Sequence, residues 1–149
     1  MVIKIRTEID IDANIDMVWD ALMDYENWKL WSKWTHFEGI PQNAQDGTKG
    51  TLVIAYDGDE KYERFSFVLK ETSKSKYFMN WTGNIPPNLF NGNHWIQLTE
   101  TSPGKTHVEH SEDFSGILPY FRIGMPFDKV ERNYGLINIG LKQYVENKK

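Results

Sequence analysis

The chain has 149 residues, of which 40% are hydrophobic and 26% are charged, with a formal net charge of −4 and no cysteine. This length suits one domain spanning residues 1–149, and the composition is ordinary for a folded globular protein. The absence of cysteine excludes disulfides and thiolate chemistry. The acidic balance, with no basic stripe, argues against nucleic acid as a partner.

No targeting or membrane segment is apparent in the sequence. The chain starts with an alternating strand pattern and lacks the apolar run of a secretory signal. No stretch approaches the roughly 20 apolar residues that a membrane helix needs. We therefore expect a cytoplasmic protein that does not insert into a membrane.

The first part of the chain predicts one strand and two short helices. Residues 2–11 alternate between apolar and polar side chains, which is typical of a half-buried antiparallel strand. An apolar stripe at helical spacing follows over residues 15–22, and Asp12 or Asn14 can cap that helix. The tryptophan-rich stretch 25–34 predicts the second short helix.

The middle of the chain predicts about six strands separated by polar turns. Asp46-Gly47 and Pro103-Gly104 are strong turn signals. Residues 84–92, rich in Pro, Gly and Asn, predict a loop that carries the apolar pair Leu89-Phe90. The expected strands cover residues 35–40, 51–56, 62–71, 77–81, 94–98 and 106–114.

From Leu118 to Glu146 the apolar pattern has a helical period, and Pro126 either starts this helix or kinks it. Gly135 and Gly140 lie inside it, where each costs about 1 kcal/mol relative to Ala. They indicate either a close approach by the sheet or a ligand, or a tolerated weakness. Strands followed by one long helix predict an α+β fold, with a curved antiparallel sheet wrapped around the helix and a cavity between them.

Several motifs spread over the whole chain carry a family resemblance. The opening reads I-x-I-x-x-x-I-x-I-x-A-x-x-x-x-V-W-x-A-L and is followed by Trp28 and Trp31. Later come Trp81, L-F-x-G-x-H-x-I-x-L, T-x-V-x-H-x-E-D-F-S-G and N-x-x-L-K-x-Y-V-E. Together these resemble the SRPBCC superfamily, the START-like group with a helix-grip fold, and most closely its polyketide cyclase/dehydrase-like branch. The resemblance implies a sheet of about seven strands, two short helices after the first strand, and a large cavity against the C-terminal helix.

His94 and Glu112 are the candidate catalytic residues. Strand parity places both on the apolar side of the sheet, where a bare charge is costly and requires a partner. They predict a polar anchor or an acid–base pair that acts on a ligand carbonyl or hydroxyl. The alternative is a structural hydrogen bond between neighbouring strands, or to Tyr134 or Asn138.

The histidines do not predict a metal site. His107 and His110 have H-x-x-H spacing, but residues three apart on a strand point to opposite faces and cannot easily share an ion. His94 and His110 form the remaining same-face pair. We expect no metal and no cofactor.

Aromatic residues are the best candidates for ligand contacts, since 21 of the 149 residues are Phe, Tyr or Trp. One group is expected to face the space between sheet and helix, and a second group to frame its opening; the alternative for each is plain core. The first group is Phe67, Trp81, Phe114, Phe121 and Tyr134, and the second is Trp28, Trp31 and Phe90.

The sequence favours a binding module that holds a small hydrophobic or aromatic molecule, such as a polyketide, a lipid or a similar metabolite. One alternative is a polyketide cyclase or dehydratase that uses the same cavity, with His94 and Glu112 as its polar groups. Another is an interaction domain whose interior is filled by its own side chains. The expected partner is the small ligand, and a homodimer remains an open alternative to a monomer.

Overall fold

The structure, a computed structural model, describes residues 2–56, 58–59, 61–120 and 126–148. Within those residues, seven strands form one curved antiparallel sheet. The strands are β1 (Ile3–Ile11), β2 (Thr35–Glu38), β3 (Lys49–Ile54), β4 (Glu63–Ser73), β5 (Phe78–Ile85), β6 (Phe90–Ser102) and β7 (Lys105–Ser115). Their order is β1-β7-β6-β5-β4-β3-β2, so the first strand pairs with the last.

The helices are α1 (Ile15–Met23), a 3-10 helix (Tyr25–Leu30), α2 (Ile117–Tyr120) and α3 (Phe127–Glu146). The 20-residue α3 lies against β1 and β7, and α1 packs on both α3 and the sheet. This arrangement confirms the predicted helix-grip fold. No helix among the described residues is long and apolar enough to cross a bilayer.

The start of α1 agrees with one of the two candidate caps. Asn14 has extended backbone angles, and its side-chain oxygen accepts a hydrogen bond from the Asp16 amide at 2.8 Å. This bond satisfies one of the amides that a helix N-terminus leaves unpaired. The buried side chains Ile15, Val18 and Leu22 then hold α1 against the core.

The predicted second helix is shorter than residues 25–34, because the 3-10 helix ends at Leu30. The amides of Trp31 and Ser32 both donate to the Trp28 carbonyl, at 3.0 and 2.7 Å. The hydroxyl of Ser32 donates to the carbonyl of Thr35, where β2 begins. The side-chain hydrogen bond of Ser32 to the backbone competes with further helical bonds, so the helix ends before the apolar pattern does.

The predicted loop over residues 84–92 is wrong in extent. Strand β5 continues to Ile85 and β6 starts at Phe90, so the turn covers only residues 86–89. Antiparallel pairing continues through Gly83↔Gly92 and Ile85↔Phe90, across residues whose types are typical of loops. The two prolines, which have no amide hydrogen for a ladder, fall inside the turn.

Two features of α3 settle alternatives that the sequence left open. Pro126 lies directly before the first residue of α3, so it starts the helix. A Cβ at Gly140 would overlap the carbonyl oxygen of Trp31, whereas a Cβ at Gly135 would meet nothing within 4 Å. Gly140 therefore allows a close approach, but by the end of the 3-10 helix rather than by the sheet or a ligand, and Gly135 has no such contact.

Candidate functional site

A cavity of about 710 Å³ lies between the inner face of the sheet and the N-terminal half of α3. Strands β3 to β7 supply most of its wall, and α3 supplies Val130, Asn133 and Tyr134. This volume falls within the range of small-molecule sites in proteins. The cavity is therefore large enough for a ligand of several rings or a folded chain.

The two ends of the cavity differ in chemistry. We call Phe65, Ile85 and Pro126 the mouth, because these lining residues are exposed to solvent. We call His94 and Glu112 the polar end, because their side chains are only 4% and 13% exposed. Polar and charged lining residues are exposed as well, so a ligand would pass both apolar and polar side chains before reaching two buried titratable groups.

Most of the predicted site residues line this cavity. Those that do are Phe67, Trp81, Phe90, Phe114, Tyr134 and the two candidate catalytic residues His94 and Glu112. Phe121 falls outside the described residues. Strand parity explains the agreement, since alternate residues of β5, β6 and β7 face the concave side.

Trp28 and Trp31 differ from the expectation that they frame the opening, because neither is among the lining residues of the cavity. Trp28 is fully buried, and its Nε1 donates to the Leu22 carbonyl at 2.8 Å. Its ring lies 4.6 Å from that of Trp31 and 4.7 Å from that of Phe37, between centroids. These tryptophans form a solid core on the other side of Trp81.

A hydrogen-bonded chain inside the fold determines which nitrogen of each buried histidine carries hydrogen. The Thr7 hydroxyl donates to the His110 carbonyl at 2.6 Å, so its oxygen accepts from Nδ2 of Asn138 at 2.9 Å. That orientation leaves Oδ1 of Asn138 facing Nδ1 of His110 at 2.8 Å. An amide oxygen only accepts, so Nδ1 of His110 is the donor.

The same chain continues to the polar end of the cavity. Nε2 of His110 faces Nε2 of His94 in a direct hydrogen bond. Because a neutral His110 already carries its hydrogen on Nδ1, its Nε2 accepts and His94 donates. Nδ1 of His94 is then an unprotonated acceptor, 3.6 Å from Oε1 of Glu112.

Burial keeps all three titratable groups uncharged near neutral pH. It lowers the pKa of His94 well below its usual value, with a further contribution from His110, and lowers that of His110 to about 4. It raises the pKa of Glu112 to about 8, and the nearby charge of Asp113 adds to the effect. An acid that still holds its proton therefore lies beside an imidazole nitrogen that lacks one.

Gly92 makes room for the carboxyl group of Glu112. A Cβ at residue 92 would lie 2.5 Å from Oε2 of Glu112 and 3.3 Å from the ring of Phe90. His94 and Glu112 are cross-strand partners in the β6–β7 register, which places the imidazole beside the carboxyl. Trp81 stacks on His94 from the next strand, with ring centroids 3.9 Å apart.

The alternative role of His94 and Glu112, a structural hydrogen bond within the fold, is seen for one of the two residues. The bond between His94 and His110 joins neighbouring strands, and His110 rather than His94 reaches Asn138. No hydrogen bond connects the Glu112 carboxyl to another residue of the described part of the chain. His94 thus has a structural partner on one nitrogen only, and Glu112 has none there.

Arg64 lies near the mouth, next to Phe65, and is among the lining residues of the cavity although its strand parity is opposite to that of Phe67. It forms two hydrogen bonds to Glu38 through Nε and Nη2, each at 3.1 Å. Its side chain is 59% exposed, so its charge is well solvated. Among the described residues, it is the lone cationic side chain in the cavity lining.

His107 lies on the opposite face of β7 from His110, as the strand spacing predicts. Its ring nitrogens face Asp10 at 2.7 Å and Glu8 at 3.4 Å. Exposed carboxylates that pair with this histidine raise its pKa. It is not among the described residues that line the cavity.

Sequence reasoning missed most of the lining residues, among them Asn133, Tyr56 and Gly92. Asn133 lines the cavity with a buried Oδ1 that has no hydrogen-bond partner in the described structure, while its Nδ2 donates to Ala55 at 2.9 Å. Tyr56 and Gly92 also contribute to the wall. The apolar stripe of α3 hid Asn133, although a polar residue beside Tyr134 within that stripe was a usable signal.

Residues 2–146 match the family described as "Polyketide cyclase / dehydrase and lipid transport". The chain is similar to the ZhuI aromatase/cyclase from Streptomyces sp. R1128, with a TM-score of 0.81 and 14% identity over 99% of this chain and 96% of the other. It is also similar to norcoclaurine synthase from Thalictrum flavum in complex with dopamine and hydroxybenzaldehyde. That match has a TM-score of 0.74 and 12% identity, covering 100% and 89% of the two chains. No protein of curated function is similar enough in sequence to match.

Proposed function

This chain belongs to the polyketide cyclase/dehydrase and lipid transport family, and we propose that it binds a small hydrophobic or aromatic molecule between its sheet and α3. The observation that carries the proposal is the cavity of about 710 Å³ with its aromatic walls. Burial of apolar ligand surface there contributes about 25 cal/mol per Å² before the costs of association. Aromatic walls then favour flat or ring-containing ligands.

A fluorescent ligand tests binding directly. N-phenylnaphthylamine is uncharged and brightens in an apolar environment, and Trp81 in the cavity wall provides a second signal. We expect saturable binding and a rise in melting temperature that grows with ligand concentration. No saturable signal with this probe, with fatty acids and with polycyclic aromatics would contradict the proposal.

Two matched variants on α3 locate the site. Val130 lines the cavity, whereas Ile139 lies on the outer face of the same helix and is 47% exposed. We expect Val130→Trp to weaken probe binding by roughly tenfold, since the indole occupies ligand volume, whereas Ile139→Trp leaves it unchanged. Equal effects of the two substitutions would argue against binding in this cavity.

The second candidate function is an enzyme of the cyclase or dehydratase type. The observation that favours it is the pair at the polar end, where Nδ1 of His94 lies 3.6 Å from Oε1 of Glu112. Burial raises the pKa of Glu112 to about 8, which suits a proton donor near neutral pH, and His94 is a neutral acceptor. Turnover of a poly-β-ketone mimic that is lost in Glu112→Gln supports an enzyme, and absence of turnover supports the binding function alone.

A further inference from the structure

The gap between His94 and Glu112 has the dimensions of one hydrogen-bonded oxygen atom. Nδ1 of His94 and Oε1 of Glu112 are 3.6 Å apart, too far for a direct hydrogen bond. An oxygen about 2.8 Å from each atom completes a triangle of ordinary hydrogen-bond lengths. Both groups line the cavity, so a ligand atom can occupy that position.

The two groups require different hydrogen-bonding roles from that oxygen. The chain from Thr7 through Asn138 and His110 leaves Nδ1 of His94 as an acceptor. Glu112 holds its proton in this buried place and is a donor. The bridging oxygen must therefore donate one hydrogen bond and accept another, which a hydroxyl group does.

Other oxygen groups fit less well. A carbonyl oxygen accepts from Glu112 but leaves Nδ1 of His94 without a donor, and an unsatisfied buried polar atom is costly. A carboxylate brings a negative charge to a buried place, where it needs a cation. Arg64, the lone lining cation of the described residues, is at the mouth and bound to Glu38.

We propose that the polar end of the cavity binds an uncharged hydroxyl group, carried by an otherwise apolar molecule, which donates a hydrogen bond to Nδ1 of His94 and accepts one from Glu112. The ligand class is thus a hydrophobic alcohol or phenol rather than a fatty acid or other carboxylate. This inference rests on the proposed binding function and adds the chemistry of the ligand. Thr7, Asn138 and His110 act as positioning residues, because they determine which nitrogen His94 presents.

Three probes with one ring system test the inference: naphthylmethanol, methylnaphthalene and naphthoate. Their affinities are measured by displacement of N-phenylnaphthylamine near pH 7. We expect the alcohol to bind roughly tenfold more tightly than either the methyl compound or the carboxylate. Equal affinity of alcohol and methyl compound, or tighter binding of the carboxylate, would overturn the hydroxyl site while leaving the binding function intact. Failure of all three probes and of the reporter to bind would overturn both proposals.

Substitutions on β7 assign the preference to Glu112. In Glu112→Leu we expect the preference for the alcohol to fall to about twofold, while methylnaphthalene binds at least as well as before. Glu112→Gln keeps an N–H donor and should retain most of the preference. Glu109→Leu, the same change on the opposite face of the strand, is the matched control and should keep it in full. A preference that survives Glu112→Leu unchanged would overturn the assignment.

Discussion

The two halves of α3 face very different surroundings. The N-terminal half presents Val130, Asn133 and Tyr134 to the cavity. The C-terminal half packs so closely on the 3-10 helix that Gly140 has no room for a Cβ beside Trp31. The same helix thus packs against a solid core at its C-terminal end and forms part of the cavity wall at its N-terminal end.

The difference shows that aromatic content alone does not make a cavity. Trp28, Trp31 and Phe37 are as aromatic as the cavity wall, yet they pack directly against one another, with Trp28 fully buried. The cavity occurs where small residues such as Gly83 and Gly92 lie in the wall formed by the sheet. The sizes of the side chains that meet at each end of the helix, rather than their aromatic content, distinguish core from cavity.

The largest expected effect comes from truncating the solid core. We expect Trp28→Ala to reduce the free energy of unfolding by about 3–5 kcal/mol, because it removes dense aromatic contacts and the hydrogen bond to Leu22. Phe90→Ala in the cavity wall should cost less than half of that, because part of its ring already faces empty space. Urea denaturation of both variants measures the difference, and equal losses would contradict the contrast.

Replacing the two glycines of α3 by alanine should change the stability of the fold in opposite directions. We expect Gly140→Ala to destabilise the fold by about 3 kcal/mol, because the new methyl group overlaps the Trp31 carbonyl. Gly135→Ala meets nothing within 4 Å and should stabilise the helix by up to about 1 kcal/mol. Thermal unfolding measures both changes. If Gly140→Ala were as stable as Gly135→Ala, the close packing of the C-terminal half would be wrong.

The polar end predicts a stability maximum near pH 6.5. The folded-state pKa of Glu112, about 8, lies above its ordinary 4.5, so its contribution is lost as the pH rises toward 8. The folded-state pKa values of His94 and His110 lie below their ordinary 6.5, so their contribution is lost as the pH falls below that value. The titratable groups that interact electrostatically with Glu112 are His94 and Tyr56 and, from the opposite face of β7, Asp113.

The variant Glu112→Gln separates the loss of stability at alkaline pH from the loss at acidic pH. Between pH 6.5 and pH 8 we expect wild type to lose about 2 kcal/mol of unfolding free energy through this carboxyl, whereas the variant lacks this loss. Both proteins should lose stability on the acidic side, since the histidines are unchanged. Denaturation at several pH values measures this, and parallel curves on the alkaline side would show that Glu112 is not buried as a neutral acid.

The sequence predicts the architecture well because period and order are local signals. The structure has a strand where residues 2–11 alternate and a helix that ends at Glu146, as the helical period predicts. It also places His94 and Glu112 on the cavity side of the sheet, as their strand parity predicts. The positions of Trp28 and Trp31 could not be read in this way, because an apolar pattern marks burial without telling core from cavity. The orientation of the buried histidines depends on Thr7 and Asn138, which lie far from them in sequence and come together only in the fold.

Gly92 gives the polar end an unusual dependence on a position that contributes no functional group. The carboxyl group of Glu112 occupies the volume that the Cβ of any other amino acid at residue 92 would fill. Exchange of a single hydrogen for a methyl group on β6 would therefore displace a buried carboxyl group on β7 without altering any ionisable residue. In this protein, the position of a carboxyl group on β7 depends on the absence of a side chain on β6.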